Sequence, residues 1–388
     1  MSKRRKKILL YTRPLVPPWD EASKNMAYEI AKNSKGFFEF HVLTSKKYSA
    51  ELMAAVKKSK NKKVVAESVY KSNEFDSRAK KSLLFRLFRL NLVADIIHFL
   101  FTPRELTSAL IRARLSFSKT RSIQTIATID DGLIKDQRKL KKILFGDLIV
   151  AQSQHTKNKL KKAGIENVRV VYPGIDLDKF YPGQKDKKIM KKLDISPSDF
   201  VILFAGEYTR LNAVDDIVDA LEILIDEETV EEKNYKVIFA LRIKSDEDLQ
   251  KKHRTIEYLQ LKGLGDRVAF LDMCLDMPAL YRASDVNIFP AQRMVGKFDI
   301  PFVIIEAMAC GKPVIVSGIP VLKEFVKNEQ TGLVVKKAQP VQLASAIKRI
   351  KIDDKLREKL SNSGFEYVKE NFDVDKNVKI YDILYENL

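Results

Sequence analysis

A lone carboxylate, Glu306, interrupts the apolar run PFVIIEAMACGKPVIVSGIP at residues 301–320, with Val303, Ile304, Ile305, Ala307 and Met308 around it. Burying an ionised group among such side chains is costly without a partner. The pattern therefore points to a carboxylate kept to accept hydrogen bonds or to meet a cation. The plainer alternative is a surface residue on an amphipathic helix. Local signals define the element that carries it. Pro301 suits a first helical position, and Asp299 can cap the open amides. Gly311 suits a left-handed C-cap and Pro313 forbids continuation. Val314, Ile315 and Val316 then read as a parallel strand covered on both faces.

The wider pattern supplies a frame for this unit. Apolar runs at Ile8–Tyr11, Phe40–Leu43, Ile96–Phe101, Ile123–Ile129, Leu148–Ala151 and Arg169–Val171 predict strands, with helices over Ser23–Asn33 and Ser153–Ala163. A second series follows: strands at Val201–Ala205, Lys236–Leu241, Val268–Leu271, Val286–Phe289 and Val314–Val316. Its helices fall over Ala213–Ile225, Ser245–Lys262, Met277–Ala283 and Pro340–Arg349. Strand and helix alternation of this kind predicts an α/β protein of two doubly wound, Rossmann-like domains. The expected division is residues 1–175, residues 176–364 and a closing amphipathic helix over 365–388. Within that last segment Phe365, Tyr367, Tyr381 and Tyr385 read as packing residues, and Gly183–Lys192 reads as a solvated lysine-rich linker or surface loop.

Composition agrees with a two-domain globular protein: 388 residues, 45% of them hydrophobic, exceed one ordinary core. Cys274 and Cys310 lie far apart without metal-like spacing, and this predicts a reducing, cytoplasmic setting. No apolar run approaches the roughly 20 residues that span a bilayer, and MSKRRKK runs into ILLYT without a cleavage site of the secretory kind. Charge is the sharper signal. Residues 1–175 hold 37 basic and 15 acidic side chains, a net of +22, while the rest of the chain nets −3. The first half therefore expects an anionic partner: a membrane surface, an acidic substrate or nucleic acid. A generally lysine-rich style would make the second half basic too, and it is not.

The segment around Glu306 closely resembles the signature of family-4 retaining glycosyltransferases of the GT-B fold. There the second glutamate of a Glu-x7-Glu motif opens the words EAMACGKPVI and binds nucleotide ribose hydroxyls. Glu306 matches it; Phe298 stands in place of the first glutamate, with Asp299 the nearest acid. Asp299 reads either as a sugar contact at the catalytic centre or as a plain helix cap. Further resemblance lies in PGID at Pro173–Asp176, in Ile149–Gln154 with Lys157 and Leu160, in Glu324, and in Thr331-Gly332-Leu333-Val334. It implies two domains meeting at a cleft, and a last helix that crosses back onto the first. The family places an arginine after the glycine ending the first strand of domain two, and a lysine five residues later, to neutralise a leaving nucleoside diphosphate. In VILFAGEYTRLNAVDD, residues 201–216, Gly206 matches, but Glu207 and Asn212 replace the two cations. The resemblance then implies donor-binding substitutes in Arg210, Arg242, Arg293 and Lys297, beside amides of the helix beginning near Pro301.

In the first domain the family has a glycine-rich loop where this chain reads LVPPWDEASK, Leu15–Lys24, without glycine. Trp19 is an acceptor platform or a packed loop anchor, and Lys24 closes the same acceptor-side segment. His98, ending DIIH, is structural or lines the acceptor side. Asp130, in ATIDD, stands where a histidine often approaches the donor sugar, or else begins a turn. The resemblance implies sugar transfer from a nucleotide-sugar donor with retention, without a metal or other cofactor. The expected acceptor is a saccharide, lipid-linked or of the cell envelope. Arg78–Ala94, with Leu83, Leu84, Leu87, Leu90 and Leu92 beside Arg86 and Arg89, suits an interfacial helix on anionic lipid, or a helix packed on its own sheet. Two other readings stand: a relative that binds nucleotide or phosphate but has lost transfer, suggested by Glu207, Asn212 and Phe298, and a nucleic-acid binder. Against the latter, the basic half carries no recognisable nucleic-acid motif.

Overall fold

The computed structural model describes residues 4–16, 21–48, 52, 63–71, 77–89, 94–101, 104–126, 129, 131–227, 234–272, 276–294 and 299–388. The chain divides into two compact units, one holding the described residues up to Gly174 together with Val374–Leu388, the other those from Ile175 to Asp373.

Unit one contains β1 (Lys6–Tyr11), α1 (Ala22–Asn33), β2 (Phe38–Ser45), β3 (Lys63–Tyr70), α2 (Ser77–Arg89), β4 (Ile96–Leu100) and α3 (Glu105–Leu115). There follow β5 (Arg121–Thr125), α4 (Asp131–Lys135), α5 (Gln137–Ile143), β6 (Leu148–Ala151), α6 (Gln154–Lys162) and β7 (Val168–Val170). The strands form one parallel sheet in the order β3-β2-β1-β4-β5-β6-β7. Its central strands are buried on both faces, which explains why they read as continuous apolar runs: Ile8, Leu10, Ile97, Phe99, Ile123 and Val150 are all inaccessible to water. The edge strand β3 carries no such run. Lys63 and Glu67 break it, and the sequence reading missed it for that reason.

Unit two contains α7 (Lys187–Lys192), β8 (Phe200–Glu207), α8 (Val214–Glu227), β9 (Tyr235–Arg242), α9 (Asp246–Leu261), β10 (Val268–Leu271), α10 (Met277–Ala283) and β11 (Val286–Phe289). It continues with α11 (Phe302–Ala309), β12 (Val314–Ser317), α12 (Leu322–Phe325), β13 (Leu333–Val335), α13 (Pro340–Ile352) and α14 (Asp354–Asn371). Its parallel sheet runs β10-β9-β8-β11-β12-β13. The lysine-rich 183–192 segment, expected as linker or loop, includes helix α7, nucleated by the Asp186 carboxylate accepting from the Lys188 and Ile189 amides. In each sheet the first strand lies between the second and a later one, so the chain reverses direction across β1/β4 and β8/β11. Open α/β sheets bind ligands beyond the carboxyl ends of the strands at such a reversal.

A single helix over 365–388 is corrected. The backbone breaks at Phe372–Asp373, between α14 and α15 (Val374–Asn387). Phe372 is fully buried there, edge-on to Phe325 at 5.9 Å, and this anchors the end of α14 in unit two. Helix α15 belongs to unit one. Asp382 binds its partner elements there, accepting from Ser34 Oγ at 2.6 Å and from the Lys35 amide at 2.9 Å.

Candidate functional site

Strand β8 ends at Gly206-Glu207, in parallel register with Leu241 and Arg242 of β9. A side chain at Gly206 would meet Leu211 Cδ1 at 3.0 Å, so glycine lets the loop after β8 fold close over the strand end. The Glu207 carboxylate is buried, and three cations converge on it. Arg242 Nη2 lies 3.3 Å and Lys244 Nζ 3.1 Å from Oε1, and Arg210 Nη1 lies 3.6 Å from Oε2. Their side chains are 39%, 31% and 34% exposed for Arg210, Arg242 and Lys244, so the cluster faces water while its anchor does not. One buried carboxylate thus gathers three cations at the strand end.

The loops carrying these cations are braced. Asp248, buried in the first turn of α9, accepts from the Thr209 amide and hydroxyl through Oδ1 and from the Lys244 amide through Oδ2. One carboxylate thus ties the loop after β8 to the loop after β9. The loop after β11 supplies a second brace. Arg293 donates to the Arg210 and Thr209 carbonyls, the Gln292 amide donates to the Leu211 carbonyl, and Asn212 Nδ2 donates to Gln292 Oε1. Asn212 itself adopts φ 51°, a left-handed conformation that asparagine tolerates better than lysine does. Arg293 is therefore a structural clamp, its Nε and Nη2 spent on carbonyls. Lys297 lies outside the described residues.

Glu306 is the fifth residue of the eight in α11, mid-helix. It is half-buried, and Tyr281 of α10 donates its hydroxyl to Oε2 at 2.8 Å. Burial pushes the carboxyl above the usual carboxylate range, while the Tyr281 hydrogen bond and the nearby Lys179 ammonium pull it down. The helix ends as the sequence predicts. Gly311, at φ 67°, donates to the Met308 carbonyl and Lys312 to that of Ala307, the paired closure of a Schellman motif. Its start differs from expectation: Pro301 occupies the N-cap itself, and no side chain caps the helix, Asp299 included. Asp299 is almost wholly buried just before it.

In unit one the acceptor-side assignments change. His98 is wholly buried, with Nδ1 2.6 Å from the Tyr385 hydroxyl and Nε2 2.7 Å from Thr125 Oγ1. Both ring nitrogens are used inside the fold, and desolvation lowers the imidazole to about 3, so His98 is a neutral packing residue rather than an acceptor contact. Lys24 is buried as well, its ammonium donating to the Val16 carbonyl at 3.1 Å. Trp19 and Asp130 lie outside the described residues. Within 78–94, Leu83 and Leu87 of α2 pack into the core and Arg86 pairs with Glu67 of β3, while Leu90 and Leu92 lie outside the described residues. Sequence reasoning missed Lys244, for which only its place two residues past a strand end could have spoken.

Residues 185–367 match the family model of glycosyl transferases group 1. A D-inositol 3-phosphate glycosyltransferase of Salinispora tropica is 30% identical over 219 residues, covering 55% of this chain and 44% of that protein. Its counterpart from Streptomyces bingchenggensis is 28% identical over 235 residues, covering 59% and 50%. The chain thus spans about half the length of the curated relatives it matches. Among solved structures, Anabaena Alr3699/HepE in complex with UDP and glucose superposes with a TM-score of 0.77 at 18% identity, covering 99% of this chain and 100% of that one. Sucrose-phosphate synthase of Thermosynechococcus elongatus gives 0.76 at 18% identity, covering 99% of each. Residues 185–367 therefore belong to the glycosyl transferases group 1 family, within a chain of GT-B fold.

Proposed function

We propose that the chain is a glycosyltransferase that moves a sugar from a nucleotide-sugar donor to an acceptor hydroxyl with retention, using side-chain cations and no metal at the leaving group. One observation carries the reading: Arg210, Arg242 and Lys244 gathered at the carboxyl ends of β8 and β9, beside the β8/β11 reversal of the sheet. Breaking a bond to a nucleoside diphosphate builds negative charge on phosphate oxygens. Fixed cations lower that barrier most when they need not reorganise. The relatives named for glycosyl transfer, and the neighbour held with UDP and glucose, support the donor class. In this reading Glu306 accepts the ribose hydroxyls through the oxygen not bound by Tyr281, and Asp299, Asp130 and Lys297 keep the sugar and diphosphate roles that the resemblance implies. The acceptor hydroxyl attacks on the leaving-group face, its proton taken by the departing phosphate.

The acceptor in this reading is a lipid-linked or envelope saccharide at an anionic membrane surface met by unit one. The charge of +22 over residues 1–175 and the outward Phe85 and Phe88 of α2, 58% and 45% exposed beside Lys80 and Lys81, support it. Among the described residues no helix is long and apolar enough to cross a membrane, so contact would be peripheral. The test of sugar transfer is turnover of a donor by Arg210→Ala: a fall in kcat of about 100-fold or more is expected, with the melting temperature little changed. Unchanged kcat would remove Arg210 from the reaction.

A further inference from the structure

We propose that Glu207 is a positioning residue: a buried carboxylate that gathers Arg210, Arg242 and Lys244 into one diphosphate-binding cluster, with Lys244 as its third, previously unassigned member. The inference rests on the donor-site reading above and extends it. A carboxylate at the end of a central strand looks unsuited to an anion site, since it repels phosphate. Its geometry resolves the contradiction. Glu207 is 2% exposed, so phosphate does not meet it directly. Both of its oxygens face cations instead, Oε1 taking Arg242 and Lys244 and Oε2 taking Arg210.

Three like charges within a few ångströms repel one another and, left alone, would swing apart into water. A shared counter-charge beneath them removes that repulsion and fixes where the three heads emerge. Cations gathered at one strand end suit a diphosphate, whose oxygens carry the opposite charge. The support is built from the backbone upward. Asp248 holds the Thr209 and Lys244 amides, and Arg293 holds the Thr209 and Arg210 carbonyls, so each loop that presents a cation is tied down on a second side. An arginine directly after Gly206 would place one cation at this strand end. Here a carboxylate in that position recruits three: Arg210 from the loop after β8, Arg242 from the end of β9 and Lys244 from the loop after it.

The test is titration of the intact chain with inorganic pyrophosphate and a panel of nucleoside diphosphates, in wild type, Glu207→Gln, Lys244→Met and Arg210→Ala. A positioning role predicts about tenfold weaker binding for Glu207→Gln although a negative charge has been removed. Simple repulsion predicts the opposite sign. Lys244→Met, at a partly exposed position that tolerates change, should lose about as much and keeps the test open if Glu207→Gln folds poorly. Equal or tighter binding by Glu207→Gln, with Arg210→Ala weakened, would overturn the positioning role and leave the donor site standing. Unaltered binding in Lys244→Met would remove Lys244 from the cluster. If Arg210→Ala is also unaltered, the diphosphate assignment itself fails.

Discussion

Glu306 shares its surroundings with the Tyr281 hydroxyl and Lys179, yet burial still holds its carboxyl above the usual carboxylate range. A folded-state value raised above the unfolded one contributes stability below the unfolded value and loses it as pH rises through the folded value. Glu306→Gln keeps the shape and an acceptor for Tyr281 but removes that titration. It should therefore melt no lower than wild type at pH 8 while binding nucleoside diphosphates about tenfold more weakly. Lower melting with unchanged affinity, read by calorimetry and titration, would make Glu306 a purely structural residue. Such a residue was legible from sequence because its type and its apolar flanks conflict. The cluster on Glu207 was legible only in part. Arg210 and Arg242 stood out as cations near strand ends, but their shared anchor depends on the β8/β9 register, which no local pattern encodes. His98 shows the converse: a histidine at a strand end looks functional until the hydroxyls of Thr125 and Tyr385 are seen to use both its nitrogens.

Helix α15 owes its place in unit one to buried aromatic and polar contacts: Tyr385 against Phe38 and Phe40, Tyr381 over His98, and Asp382 on the Ser34 hydroxyl. The neutral His98 beneath it gives the element a pH signature. Its folded value is lowered to about 3 from an ordinary 6.5, so the unfolded chain binds the extra proton first. Stability from this site is complete above pH 6.5 and falls below it, by up to about 1.4 kcal/mol per pH unit. Denaturant unfolding between pH 7.5 and 4.5 should show a steeper loss for wild type than for His98→Gln. The variant should also be less stable at pH 7.5, having lost a matched pair of hydrogen bonds. Parallel pH profiles would contradict the assignment. Central elements such as β8, β9 and α10 were readable because burial on both faces or a clear cap leaves a strong pattern. Edge strands β3 and β13 were not, since one is interrupted by charge and the other has three residues. The break before α15 was hidden because Phe372 is apolar, like the helices on either side.

The net excess of positive charge lies in the first half of the chain, and the exposed Phe85 and Phe88 lie in that same half. Anionic lipid should meet both. Sedimentation with vesicles containing phosphatidylserine should retain wild type at low salt and release it as salt rises. Phe85→Ser combined with Phe88→Ser should weaken retention about tenfold or more, with the melting temperature unchanged. Equal retention by the double variant would leave charge alone as the attractant, and no retention by wild type would remove the membrane from the account. The fold class and the donor half were the legible parts at this scale, because they rest on periodicity and on one compact motif. The acceptor half was not, because its expected residues are buried in the fold or lie outside the described segments. The central claim is that unit two holds a nucleoside diphosphate, and the most direct measurement is the melting temperature of the intact chain against a panel of them. A ligand at 100 times its Kd adds about 2.7 kcal/mol, or about 5–10 °C for a domain of this size, so at least one base should give a shift of that order in wild type and a much smaller one in Arg210→Ala. No shift with any nucleoside diphosphate, nucleotide sugar or pyrophosphate would contradict it.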